Sequence, residues 1–133
     1  MPAEIRAFFE RYRASFNALD GEAVARLYAL PSGIASDTGY THWSTLEPIR
    51  QNMVALCQLY RENGFVSAQF ESTAFIFQGD NFGVADLAWR IQWREKEPSR
   101  FGTTYNVMHT ADGWRVLLCT AYSEKKLHAQ PRT

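Results

Sequence analysis

The stretch that decides the fold is Asn81–Ser123, NFGVADLAWRIQWREKEPSRFGTTYNVMHTADGWRVLLCTAYS. It divides into three runs, Asn81–Arg94, Ser99–Thr110 and Trp114–Ser123. Each is rich in β-branched and aromatic residues, and each alternates in polarity, which predicts three antiparallel strands. Ala111-Asp112-Gly113 separates the last two, and a glycine as third residue suits a three-residue hairpin loop with a bulge. That loop sets Thr110 opposite Trp114, and so Asn106 opposite Leu118 and Thr104 opposite Thr120.

Working back toward the N-terminus, Val66–Gln78 reads as a further strand, turned by Gly79-Asp80-Asn81. A helix precedes it. Ser44-Thr45-Leu46-Glu47 has the pattern of a capping box, with Ser44 as N-cap, and Gly64 stands as its stop. Ile49, Met53, Leu56, Cys57 and Tyr60 form its apolar stripe, with Cys57 as inert core. A first helix is predicted over Ala3–Leu19, with Ile5, Phe8, Phe9, Tyr12, Phe16 and Leu19 at helical spacing. A second, Gly21–Ala29, has Asp20 as N-cap and Pro31 as stop. Between Pro31 and Ser44, Ser32–Trp43 reads as a turn with a short β stretch. It gathers Asp37, Tyr40 and His42, more polar chemistry than packing needs. His42 has no companion ligand at metal spacing and reads as a surface residue.

Helices first and a strand meander last predict an α+β fold, with three N-terminal helices packed on one face of a bent antiparallel sheet. At 133 residues the chain fits one domain, 1–123, followed by a polar and basic tail, Glu124–Thr133, expected to fray. Lys+Arg and Asp+Glu are equal at 14, which argues against nucleic acid as a partner. No run approaches a membrane span, and Met1-Pro2-Ala3-Glu4 lacks the features of a signal peptide. Two isolated cysteines, Cys57 and Cys119, predict no structural metal and a reducing, cytoplasmic setting.

Alternation sorts the strands into two sets. One holds Phe82, Val84, Asp86, Ala88, Arg90 and Gln92, with Thr104, Asn106 and Met108 beside them. The hairpin register adds Val116, Leu118, Thr120 and Tyr122. The other holds Leu87, Trp89, Ile91, Trp93, Phe101, Tyr105 and Val107. Periodicity alone leaves open which set meets the helices.

The span Phe8–Ser123 resembles the nuclear transport factor 2-like superfamily, which includes ketosteroid isomerases, scytalone dehydratase, limonene epoxide hydrolase and SnoaL-like polyketide cyclases. Asp112-Gly113-Trp114-Arg115-Val116-Leu117 is similar to the superfamily's usual last strand. Glu10–Asp20 resembles the first helix of ketosteroid isomerases. The resemblance implies a conical, cystatin-like barrel with a pocket between the helices and a concave sheet, and dimers formed through the outer sheet face. It matches Tyr12 to the isomerase phenol, brings Asp37 near the general base, and sets Asn106 where a second oxyanion donor stands. It places Asp86, Arg90, Thr104, Leu118 and Thr120 on the concave side as ligand contacts, joined by Tyr40 from the preceding loop. Asp86 and Arg90 are expected to pair there.

The expected function is a small-molecule-binding domain. One form is a cofactor-independent isomerase, dehydratase or hydrolase acting on a small carbonyl or hydroxyl compound. A phenol and an amide together would stabilise an enolate oxygen, and a carboxylate would move the proton. The alternative is a non-catalytic dimeric binding module; a third is a domain whose pocket is filled by side chains. With these faces, Leu87, Trp89, Ile91, Trp93 and Tyr105 would form a homodimer interface. Inverted faces would bury those residues and leave Asp86 and Arg90 in solvent.

Overall fold

The computed structural model describes residues 1–123; the tail expected over Glu124–Thr133 lies outside them. The elements follow as α1 (Ala3–Asn17), α2 (Gly21–Ala25), β1 (Tyr28–Ser36), β2 (Gly39–Trp43), α3 (Leu46–Glu62), β3 (Phe65–Gln78), β4 (Phe82–Trp93), β5 (Ser99–Thr110) and β6 (Gly113–Tyr122). The strands form one six-stranded sheet in the order β2-β1-β6-β5-β4-β3. All neighbours are antiparallel except β1 and β6, which run parallel. Among the described residues no helix is long and apolar enough to cross a membrane.

The face assignment is the main correction. Leu87, Trp89, Ile91 and Trp93 are buried on β4, as are Tyr105 and Val107 on β5. They meet the helices: Trp89 and Tyr105 pack on Tyr12 of α1, and Trp93 on Tyr60 of α3. Asp86, Arg90, Thr104 and Asn106 stand on the outer face. The physical reason is plain. Burying the aromatic set removes large apolar side chains from water, while burying Asp86 and Arg90 would strip two charges of theirs. The side chains expected at a dimer interface are therefore the monomer's own core.

β6 changes faces part-way. At the turn Thr110 pairs with Gly113, so the loop is one residue shorter than expected. A bulge at Leu117 then restores the predicted partners, Asn106 with Leu118 and Thr104 with Thr120. An inserted residue reverses alternation. Trp114 and Val116 accordingly point inward before the bulge, and Leu118 and Thr120 outward after it.

Local signals hold unevenly. Asp20 caps α2, accepting from the Ala23 amide at 3.0 Å. That helix ends at Ala25 rather than Ala29, and Pro31 lies inside β1, in the segment where the β1–β6 register shifts. The capping box does not form. The N-cap of α3 is Thr45, with no side-chain bond, and Glu47 turns to Arg50 at 2.7 Å. Asn17, the last residue of α1, binds both backbone groups of Ala68 on β3, at 3.0 and 3.1 Å. One side-chain amide thus does what a neighbouring strand would do for that edge.

Candidate functional site

Between the helices and the inner sheet face lies a cavity of about 380 Å³. Phe16, Met53, Leu56, Leu59 and Tyr60 line it from α1 and α3, and Trp89, Ile91 and Phe101 from the sheet. Its exposed lining residues, Ser36, Asn52 and Ala55, mark the mouth.

Five side chains give this apolar wall a polar patch. Tyr12 on α1 and Tyr28 at the start of β1 meet hydroxyl to hydroxyl at 2.8 Å. Trp89 donates its indole N–H to the Tyr105 hydroxyl at 3.1 Å. The Tyr105 ring stands edge-on to Tyr12, with centroids 5.3 Å apart. Cys119, on the inward side of β6 after its bulge, adds a thiol to the same lining. Burial raises the pKa of Tyr12, Tyr28 and Tyr105 well above that of a free phenol, and their mutual proximity and that of Cys119 raise it further. All three are therefore neutral donors at physiological pH.

Tyr12 and Tyr28 carry one hydroxyl proton each and spend one on their shared bond. Tyr105 accepts from Trp89 and is in turn hydrogen-bonded to Tyr12, as Tyr28 is to Cys119, so the protons of this hydrogen-bonded chain are engaged within it. A ligand oxygen entering the cavity meets these hydroxyls among apolar walls, where a hydrogen bond is stronger than in bulk water, and joins the chain through a spare lone pair or by taking over one of its protons.

Of the side chains expected here, Tyr12 alone lines the cavity. Asp37 sits in the exposed turn between β1 and β2. Asn106 is on the outer face across from Leu118, so Tyr12 and Asn106 lie on opposite sides of the sheet and do not converge. Tyr40 is 62% exposed on β2, its hydroxyl 3.3 Å from Nδ1 of His42. Asp86, Arg90, Thr104, Leu118 and Thr120 are all outside. Asp86 and Arg90 do not pair, because four residues along one strand separate them by roughly 13 Å. Asp86 instead accepts from Thr73 at 2.6 Å, Thr104 at 3.0 Å and Tyr122 at 2.5 Å. Burial works to raise its pKa, but those hydroxyls outweigh it and hold the carboxyl below its ordinary value.

The residues missed are Tyr28, Tyr105, Trp89 and Cys119. Tyr28 is hidden by reading α2 as running to Ala29. The other three follow from assigning the apolar set of the sheet to the inside.

A family model described as NTF2-like protein (DUF6841) matches residues 3–124. The chain belongs to this NTF2-like family. Solved structures agree on the fold. A domain of unknown function with a cystatin-like fold from Nostoc punctiforme is 18% identical, with TM-score 0.74 over 96% of this chain and 81% of that one. A ketosteroid isomerase-like protein from Erwinia carotovora atroseptica is 12% identical, with TM-score 0.71 over 90% and 93%. A putative calcium/calmodulin-dependent protein kinase type II association domain from Thiobacillus denitrificans is 14% identical, with TM-score 0.73 over 91% and 94%. No curated protein matches the sequence. At these identities the likeness shows the NTF2-like fold alone, which hosts unrelated activities.

Proposed function

We infer that this NTF2-like domain binds a small, largely apolar molecule carrying one hydroxyl or carbonyl oxygen. The observation that carries this reading is the Tyr12–Tyr28 hydroxyl pair set in the wall of an otherwise apolar cavity. Apolar walls with a few convergent donors are the usual make-up of a small-molecule site. The ring faces of Phe16, Tyr60, Trp89 and Phe101 favour a flat or aromatic body. A ligand oxygen gains a hydrogen bond by joining the hydroxyl chain, where a wholly apolar ligand gains none.

A binding role accounts for the lining better than proton transfer does. None of the residues lining the cavity is Asp, Glu, His, Lys or Arg. An isomerase of the expected kind needs a carboxylate base within reach of the substrate, and Asp37 is on the surface turn.

The test is calorimetric titration with 2-naphthol and with naphthalene, which share a ring system and differ by one hydroxyl. The expected result is tighter binding of 2-naphthol by roughly tenfold, the scale of one good hydrogen bond. In Tyr12→Phe that margin shrinks while naphthalene binding persists. Equal affinities for both compounds in the wild-type protein would defeat the reading.

A further inference from the structure

The outer sheet face carries a second feature, on the opposite side from the cavity. Gln69, Arg90 and Arg100 stand in register in one row across β3, β4 and β5. In the next row Ala88 rises little above the backbone, and Gly102 lies beneath the ring of Tyr122. The row beyond holds Asp86 opposite Thr104. An open groove of about 450 Å³ runs over Ala88, walled by the two arginines on one side and by Asp86 and Tyr122 on the other.

The arginine pair is the unusual element. Like charges directly opposite each other destabilise a sheet. Among the described residues neither guanidinium has a carboxylate within 4.0 Å. Asp86 is bound by three hydroxyls, and Glu71, exposed at the groove's edge, pairs with neither arginine. Two planar forks of N–H donors facing one space are suited to a planar or tetrahedral oxyanion.

We propose that this groove binds the carboxylate or phosphate group of a compact small molecule, clamped between Arg90 and Arg100. The low floor at Ala88 lets the ligand lie against the sheet beside the Tyr122 ring, which covers Gly102. Asp86 and Glu71 repel a second anionic group, so the ligand carries its negative charge at one end and neutral or cationic donors at the other.

The test is a titration of the full chain with inorganic phosphate and, separately, malonate at constant ionic strength. The arginine Nε–H signals are followed by NMR, with chloride as the reference. Saturable shifts confined to Arg90 and Arg100 are expected, and the tighter of the two probes identifies the oxyanion. Arg90→Gln and Arg100→Gln should each weaken binding roughly tenfold, with their lysine counterparts intermediate. Arg61→Gln, on α3, should leave binding unchanged, and melting curves show that each variant is folded. Shifts that grow linearly with concentration, or that spread equally over all arginines, would overturn the proposal. So would a dimer in light scattering that neither probe dissociates and in which Arg90 and Arg100 do not respond.

Discussion

Tyr12 and Tyr28, from the first helix and the first strand, share a buried hydrogen bond of 2.8 Å at the wall of the cavity. Removing either hydroxyl takes this bond from the other, which keeps its second contact, Tyr12 with Tyr105 and Tyr28 with Cys119. Tyr28→Phe and Tyr12→Phe are each expected to cost about 1–2 kcal/mol in urea unfolding. The double variant should cost less than the two single ones together, because the shared bond is lost only once.

The same burial fixes an alkaline limit. Folded Tyr12, Tyr28 and Tyr105 keep their protons above the ordinary value of 10.0, whereas the unfolded chain loses them there. The stability they contribute is intact below pH 10.0 and is lost as pH rises from that value toward the folded ones. Phenolate absorbance should show three of the six tyrosines ionising only together with loss of near-ultraviolet circular dichroism. Smooth titration of all six with the fold retained would contradict the buried cluster.

Trp89 tests which face of the sheet is inside. At 5% exposure it has no room to carry a charge. Trp89→Glu should lose on the order of 4 kcal/mol or more and yield little soluble folded protein. If Trp89 lay on an intersubunit surface, the same change would give a stable, soluble monomer. Size-exclusion chromatography and thermal melts of the variant separate the two.

Most of the strand plan is readable without the structure because alternation is a property of each strand by itself. The partners Asn106–Leu118 and Thr104–Thr120 come out right through two compensating departures: the loop is one residue shorter, and the bulge at Leu117 restores the offset. Nothing local to Leu117 announces that bulge, and without it Val116 and Cys119, both inward here, would fall on opposite faces. The assignment of inside and outside is also within reach of the sequence. Leu87, Trp89 and Ile91 against Asp86, Arg90 and Gln92 is an amphipathic pattern that burial alone resolves. Matching Asn106 to an isomerase donor leads the other way. Tyr12 is legible because a helix stripe with one polar tip is a local signal. Tyr28 and Tyr105 reach it only through tertiary packing.

Asp86 sets an acid limb. Its folded pKa lies below the ordinary 3.8, so the unfolded chain takes up the proton first as pH falls. The stabilisation is present above the unfolded value and disappears as pH drops through the folded one. Asp86→Asn should flatten the decline in urea midpoint below about pH 4. An unchanged acid limb would mean that Thr73, Thr104 and Tyr122 do not hold the carboxylate in solution.

Two glycines separate space from backbone conformation. Gly21, at the start of α2, has no strained φ, but a Cβ there would lie 2.6 Å from the backbone of Val54 on α3. Backbone cannot swing aside as a side chain can, so Gly21→Ala must push α2 off α3 and is expected to cost about 1–3 kcal/mol. Gly79 is the reverse case, with φ +68 and nothing within 4 Å of where a Cβ would stand. There the penalty comes from the left-handed conformation alone, about 1–2 kcal/mol for alanine and less for asparagine, whose short polar side chain tolerates it. The contrast is read in the asparagine variants. Gly79→Asn should melt close to wild type, and Gly21→Asn should be worse than Gly21→Ala because its larger side chain meets the same helix. If Gly21→Asn is tolerated as well as Gly79→Asn, α2 and α3 are not in the contact described.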